Sequence, residues 1–332
     1  MDVILTRPQL QPPFTELHDS ANNGSTGFAS FAAVPSNLGA IEAGIRFATG
    51  TTPLVALVGS PGWGKSHLLQ CIYAYMVLQG RDVKAPMSAT VFASGKETEA
   101  TQGAILLDDA QDAVRNLRTK NEFRRLLELR VRTGRPTLIA LSLDDGLTEI
   151  RQFLPSPKEW GVQTIDDPNV SEREAIVRQI ASDERLALSS PVVHLLSRHL
   201  CGNGRSIRGA LRTLKLEQQD WSLREHACAA CGVLMPYLSG RDGWDVRDLA
   251  AEAVSRTLDQ RPDPGVSHSH LCAYMMLIAM KLNEADAAAF LGQSPSSVYG
   301  MSSKVRRMLT DSGFAETVNC CRRELLRLLE TA

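Results

Sequence analysis

No stretch of this sequence approaches the roughly 18 consecutive apolar residues that a bilayer-spanning helix needs, so no membrane span is expected. The opening residues, MDVILTRPQLQPPF, lack the basic, then apolar, then small-residue succession of a secretory signal, and the expected location is cytoplasmic. Charge of one sign is also lacking. Lys and Arg number 36 against 37 Asp and Glu, a formal net charge of −1, so contact with nucleic acid has to come from a local basic patch. The seven cysteines are odd in number and scattered over positions 71, 201, 228, 231, 272, 320 and 321, which does not fit a secreted disulfide framework. Cys228 and Cys231 form a CxxC with His226 nearby, but no second CxxC or His pair stands at zinc-finger spacing. That pair is either a metal or redox site or, more plainly, two buried helix residues. Internal repeats are absent.

What is present is a chain of 332 residues with 43% hydrophobic content, enough for two domains. Residues 1–27 mix Pro, Gln, Asn, Gly and Ser without hydrophobic period and read as a disordered tail. From 28 to 165 the pattern is α/β. Ser36 can cap a helix through Ile41, Ile45 and Phe47, and Pro53–Val58 is a short buried strand; further apolar runs at Ala89–Phe92, Ala104–Leu107 and Thr137–Leu141 alternate with helical stretches such as Asn121–Val131. That order predicts parallel strands with crossover helices. Strand signals fade after Asp166-Asp167-Pro168, and amphipathic helices at Ser171–Asp183, Pro191–Leu200 and Ser206–Leu216 predict a helical lid over 166–225. A helical connector and linker, 226–264, ends in the helix-breaking run Asp259–Gly265, and an all-helical domain of residues 265–332 comes after it.

The motif that carries chemistry is Gly59-Ser60-Pro61-Gly62-Trp63-Gly64-Lys65-Ser66, which fits G-x-x-x-x-G-K-[ST] and lies between a buried strand and the helix His67–Leu78. A match to those four positions arises by accident in about one chain of this length in a hundred, before its context is counted. Glycines let successive N–H groups turn inward around phosphates, and the helix N-terminus favours negative charge. Lys65 neutralises the outer phosphates, and Ser66 supplies a hydroxyl to Mg²⁺, which demands a second oxygen ligand from elsewhere. Ala104-Ile105-Leu106-Leu107-Asp108-Asp109 offers one: the acidic pair leaves the carboxyl end of a buried strand, the edge where open parallel sheets bind ligands. Asp108 would serve the Mg²⁺ shell and Asp109 the attacking water; the alternative is that the pair caps the helix beginning Ala110-Gln111-Asp112.

With these residues in place, the chain resembles the DnaA family of bacterial replication initiators within the AAA+ ATPases. Phe28–Asn37 looks like the family's adenine-side box, which adds Pro35 and Asn37 to the nucleotide contacts of Gly59, Pro61, Gly62, Trp63, Gly64, Lys65, Ser66 and His67. Leu106–Gln111 is similar to the acidic strand, Leu141-Ser142-Leu143-Asp144 to the sensor 1 segment, and Gly202–Leu211 to the lid motif, which carries γ-phosphate contact onto Arg205. The implied fold is a P-loop α/β/α AAA+ base with a helical lid and a helix-turn-helix C-terminal domain, and the implied ligands are ATP or ADP with Mg²⁺. Leu271–Leu282 reads as one helix; Glu284–Phe290, a Leu291-Gly292-Gln293 turn and Pro295–Leu309 read as helix, turn, helix. The second would present Ser296, Ser297, Tyr299, Ser303, Lys304, Arg306 and Arg307 to duplex DNA; an ordinary helical hairpin is the alternative.

Three departures qualify the resemblance. Ser294-Pro295-Ser296-Ser297 stands where the family carries Asp-His-Thr-Thr, the basic loop before that domain is replaced by Pro262–His270, and the arginine-finger position is Pro157. The gap from Ser66 to Asp108 is also too short for the two helices that initiators insert to grip single strands. These imply a weak ATPase at most, with nucleotide-dependent oligomers at most, unless Lys158 or Arg151 substitutes for the finger. The expectation is a divergent initiator paralogue or DNA-binding regulator working as an ATP/ADP switch. The alternatives are an adaptor whose terminal helices bind initiator or helicase-loading proteins, and a degenerate P-loop scaffold.

Overall fold

The computed structural model describes residues 27–95, 103–115, 117–142, 154–217, 226–238, 245–261 and 265–331. The expected tail therefore lies outside the described residues, apart from Gly27. The chain divides into two compact units between Glu172 and Arg173.

In the first unit, α1 (Pro35–Thr49) leads into β1 (Leu54–Gly59) and α2 (Lys65–Leu78). Next come β2 (Met87–Ser88), α3 (Ala89–Ser94), β3 (Ile105–Asp108), α4 (Ala110–Val114), α5 (Leu117–Arg132), β4 (Thr137–Leu141) and β5 (Gly161–Ile165). Every pairing is parallel, in the order β2-β3-β4-β1-β5. Parallel neighbours need long crossovers, which these helices supply, and a sheet covered on both faces needs unbroken apolar strands. The strand side chains alternate accordingly. Leu54, Ala56 and Val58 share a core with Phe92, Phe123, Leu126 and Leu127 of the α3 and α5 layer. Val55 and Leu57 share another with Ile41, Phe47, Leu68 and Ile72 of α1 and α2. Each fully buried leucine or isoleucine contributes about 1.5–3 kcal/mol, and together they hold the three-layer α/β/α sandwich that the apolar runs foretold. At the amino-terminal edge the fully buried Arg130 donates to Thr137 Oγ1 (2.8 Å), Gly103 O (2.8 Å) and Pro136 O (2.6 Å), fixing where β3 and β4 begin.

Several local expectations need correction. Ala89–Phe92 is helix, not strand: Ser88 Oγ accepts the Val91 N–H (3.3 Å), and only Met87 and Ser88 pair with β3. Ser36 does not cap α1. Val34 is the N-cap and Pro35 the first helical residue, where the missing N–H costs nothing, while the Ser36 N–H donates to Glu172 Oε1 at 2.7 Å. The helix after the Gly-rich loop starts at Lys65 rather than His67. β5, which the sequence pattern did not reveal, pairs among the described residues with β1 alone.

The second unit is helical: α6 (Val170–Asp183, beginning just before the division), α7 (Ser190–His199), α8 (Gly204–Glu217), α9 (His226–Leu238) and α10 (Val246–Gln260). Then come α11 (His268–Tyr274), α12 (Glu284–Leu291), α13 (Pro295–Met308) and α14 (Ser312–Thr331). The expected Leu271–Leu282 helix begins three residues earlier and passes into a π-helical turn at Met275–Ala279. α14 packs against both α7 and α10, and α13 packs against α11 and α12. Cys228 and Cys231 are buried in α9, and burial pushes both thiols up, Cys228 to about 11, which makes them poor nucleophiles. No described helix is long and apolar enough to cross a membrane.

Candidate functional site

β1 ends on Gly59 because nothing larger fits: a Cβ there would stand 2.2 Å from the backbone carbonyl of Ile165 in β5. The loop then turns into α2 through Gly64, whose φ of +98° is open to glycine and closed to most side chains, and whose missing Cβ leaves room for the Phe31 ring. The first turn of α2 therefore opens directly on the loop, where the dipole of a helix N-terminus favours negative charge. Lys65 is buried, and its ammonium donates to Gly59 O (2.7 Å) and Ser60 O (2.8 Å). The charge thus rests on the loop's own carbonyls, groups with which phosphate oxygens compete. Pro61 is exposed; Gly62 and Ser66 are half-buried, and so is Trp63, which packs against the α1 and α2 core.

The segment from Phe28 to Asn37 is latched onto this loop. The His67 ring lies 5.2 Å from that of Phe31, and its Nε2 is 2.9 Å from Ser30 Oγ. Asn37 is buried with its amide already engaged, accepting from Val34 N (3.0 Å) and donating to Ala32 O (2.8 Å). It shapes the segment, with Pro35 exposed beside it.

Asp108 closes β3. β4 lies between β1 and β3, pairing Leu141 with Val58 and Ile139 with Leu107, so Asp108 and Gly59 leave the same carboxyl edge. Two inter-strand spacings separate their strands by about 10 Å, room for phosphate and a metal ion. Asp108 is half-buried, and its Oδ1 accepts the Asp109 N–H (2.9 Å). Asp109 is exposed, with φ +50°, at the N-cap of α4, yet its carboxylate does not cap that helix. Instead it accepts from Gln111 Nε2 (2.9 Å), while Gln111 Oε1 accepts the Ser142 N–H (2.9 Å). The donor set suits the expected ion: a hydroxyl from Ser66 and a carboxylate from Asp108 are hard oxygen ligands of the kind Mg²⁺ takes.

Other expected residues lie elsewhere. Asp144 and Arg151 fall outside the described residues. Arg205 belongs to the second unit, exposed in the first turn of α8. Pro157 and Lys158 are exposed in a 3-10 turn, Pro157–Glu159. In the terminal helices, Asn283 caps α12 by accepting from Asp286 N (2.8 Å), and Gly292, at φ +63°, ends it. The three-residue turn Gly292-Gln293-Ser294 leads to α13, where Ser294 Oγ accepts from Ser297 N (3.2 Å). Ser296, Tyr299, Lys304, Arg306 and Arg307 are exposed along α13 and Ser297 and Ser303 half-buried, while Val298, Ser302 and Val305 face inward. The residue that sequence reading named but gave no part in the chemistry is Gln111, whose bond to Ser142 spans 31 positions and depends on β3 lying beside β4.

No family model matches this chain. It is 24% identical over 297 residues to the chromosomal replication initiator protein DnaA of Deinococcus radiodurans, covering 81% of this chain and 63% of that protein. To the DnaA of Dechloromonas aromatica it is 25% identical over 172 residues, covering 47% and 37%. The chain thus spans between about two-fifths and just under two-thirds of the length of these relatives. Among solved structures, domain III of Thermotoga maritima DnaA superposes with a TM-score of 0.55 at 20% identity, covering 66% of this chain and 99% of that one. AMPPCP-bound DnaA from Aquifex aeolicus gives 0.53 at 17%, covering 92% and 98%. A replication initiator DnaA bound to AMPPCP and single-stranded DNA gives 0.52 at 18%, covering 92% and 99%. With the Gly-rich loop and the acidic strand end sharing one edge of the sheet, these likenesses make the chain a divergent DnaA-like AAA+ protein.

Proposed function

We propose that this chain is an ATP/ADP-binding switch that acts on duplex DNA as a regulator or divergent initiator of replication in the cytoplasm. One observation carries the nucleotide half: Gly59 and Asp108 leave the same sheet edge with a single strand between them, and the buried Lys65 ammonium stands at the loop. ATP lies with its phosphates along Gly59–Ser66. Lys65 would exchange the Gly59 and Ser60 carbonyls for phosphate oxygens, Ser66 and Asp108 would hold Mg²⁺, which would supply neutralisation of phosphate charge, and Asp109 would orient the attacking water. The resemblance assigns further nucleotide-sensing roles to Asp144 of the sensor 1-like segment and to Arg205 of the lid motif. The solved relatives bound to AMPPCP support this reading.

The DNA half rests on reading α12, the Gly292 turn and α13 as a helix-turn-helix, with Lys304, Arg306 and Arg307 exposed along α13. The finger position, Pro157, has no charge to offer a neighbouring subunit, so turnover is slow and the bound nucleotide persists as a signal. The switch requires ATP and ADP to favour different arrangements of the chain, which is the measurable content of the proposal. Fluorescence anisotropy of the whole chain on labelled duplex DNA, at low and moderate salt with ATP, ADP or no nucleotide, tests it. Salt-sensitive binding that differs between ATP and ADP is expected; no binding at low salt removes the DNA assignment.

One observation favours a second reading, an adaptor that binds initiator or helicase-loading proteins. The first-turn hydroxyls of α13 are spent locally, Ser294 on the Ser297 N–H and Ser297 Oγ on Gln293 Oε1 (3.3 Å), and so are less free to read bases. Nucleotide-dependent binding to protein with none to DNA is its signature.

A further inference from the structure

We propose that Gln111 is a positioning residue for nucleotide hydrolysis: it holds the Asp109 carboxylate in place and couples it to the end of β4. The inference rests on the reading of the loop and acidic strand as an ATP site.

The bonding chemistry of the amide leaves one arrangement. A carboxylate can only accept and a backbone N–H can only donate, so the group facing Asp109 must be the NH₂ and the group facing Ser142 must be the carbonyl. Both bonds measure 2.9 Å. A flipped amide would set oxygen against oxygen and N–H against N–H, so the network fixes the Gln111 side chain without ambiguity.

The plainer explanation of the acidic pair, helix capping, does not describe Asp109. An aspartate at an N-cap ordinarily lies in extended backbone and turns its oxygen onto the amides of the first turn. Asp109 has the left-handed φ of +50°, which disfavours a residue with a Cβ, and makes no such bond. Its carboxylate is instead exposed at the carboxyl edge of the sheet and tethered by Gln111. A backbone conformation that costs energy, and a carboxylate withheld from its usual local partner, together set the group that must meet water.

The second bond gives Gln111 its reach. Ser142 is the first residue beyond β4, the strand between the loop strand and the acidic strand, and it is the second residue of the segment that resembles sensor 1. A shift of the β4 end pulls on the Gln111 carbonyl and, through a rigid planar amide, on Asp109. The orientation of the water-facing carboxylate is thereby tied to the position of Ser142.

The test uses the full chain and four substitutions: Gln111→Glu, Gln111→Leu, Asp109→Asn and, as the control for turnover, Lys65→Ala. Glutamate keeps the size and can still accept from Ser142, but sets a like charge against Asp109; leucine removes both bonds. Single-turnover hydrolysis of radiolabelled ATP gives the rate, titration with fluorescent ATP gives the affinity, and thermal melting reports folding. We expect both Gln111 variants to lose about tenfold to hundredfold in rate, Gln111→Glu no less than Gln111→Leu, with nucleotide affinity within about twofold of wild type. In the Asp109→Asn background, Gln111→Leu should cost less than about twofold, because two residues acting through one group are not additive. Unchanged rates in both variants, a multiplicative loss in the double variant, or a loss matched by weaker ATP binding would overturn the proposal. Wild-type turnover no greater than that of Lys65→Ala would sink the ATPase reading itself, an outcome distinct from any of these.

Discussion

The carboxyl edge of the first unit and the α12–α13 hairpin of the second unit are built to different logics. At the sheet edge the backbone is the main determinant: a glycine on which a Cβ would stand 2.2 Å from Ile165 O, a loop that opens on a helix N-terminus, and strands whose pairing sets two acids on the same edge as that Gly-rich loop. At the hairpin the backbone only presents a helix, and the proposed DNA contact would depend on side chains such as Arg306 and Arg307 that lie exposed. Sites of the first kind tolerate almost no substitution; sites of the second kind degrade one contact at a time.

Substitutions can tell the two logics apart. The largest effect is expected from Lys65→Ala, which should weaken magnesium-dependent affinity for labelled adenine nucleotide by at least about a hundredfold, the loss of one charge-assisted contact to phosphate in a buried site. Retained affinity would show that the ammonium has no part in binding. Next comes Gly59→Ala, whose methyl group has to displace the backbone of β5; thermal and denaturant unfolding should register about 3 kcal/mol of lost stability. An unchanged melting profile would mean that the edge is looser than its geometry indicates.

Smaller still is the double variant Arg306→Ala with Arg307→Ala. It should lower the slope of log affinity for duplex DNA against log salt by about two, close to one for each phosphate contact, and leave nucleotide affinity as it was. An unaltered slope would place the DNA contact elsewhere. The smallest concerns His270, whose pKa is lowered by burial and then by the nearby Lys304. The folded form resists protonation more than the unfolded chain does, so its contribution is present above the unfolded pKa and is lost as pH falls through the folded value. Between about pH 7 and 5, wild type should lose slightly more stability than His270→Gln; coincident curves would show that His270 has no part in the pH dependence.

The same contrast explains what could be read in advance. β1, β3 and β4 were legible because strands buried on both faces are continuous apolar runs, and the Gly-rich loop because its spacing is itself the mechanism. Ala89–Phe92 misled because a run as short as Ala-Thr-Val-Phe carries no period; Ser88 as a cap decides for helix, leaving Val91 62% exposed. β5 was missed since Gly161–Thr164 are only half-buried, so its Val, Gln, Thr and Ile show no clean pattern. The part played by Gln111 was invisible for another reason: it depends on the register of two strands, which no local spacing encodes.

Nucleotide binding at the sheet edge, on which the rest depends, is decided by titrating the full wild-type chain with fluorescent ATP and ADP, with and without Mg²⁺. Saturable binding that tightens with Mg²⁺ and weakens in Asp108→Asn is the predicted result. Binding indifferent to the metal and to Asp108, or no binding, would contradict it.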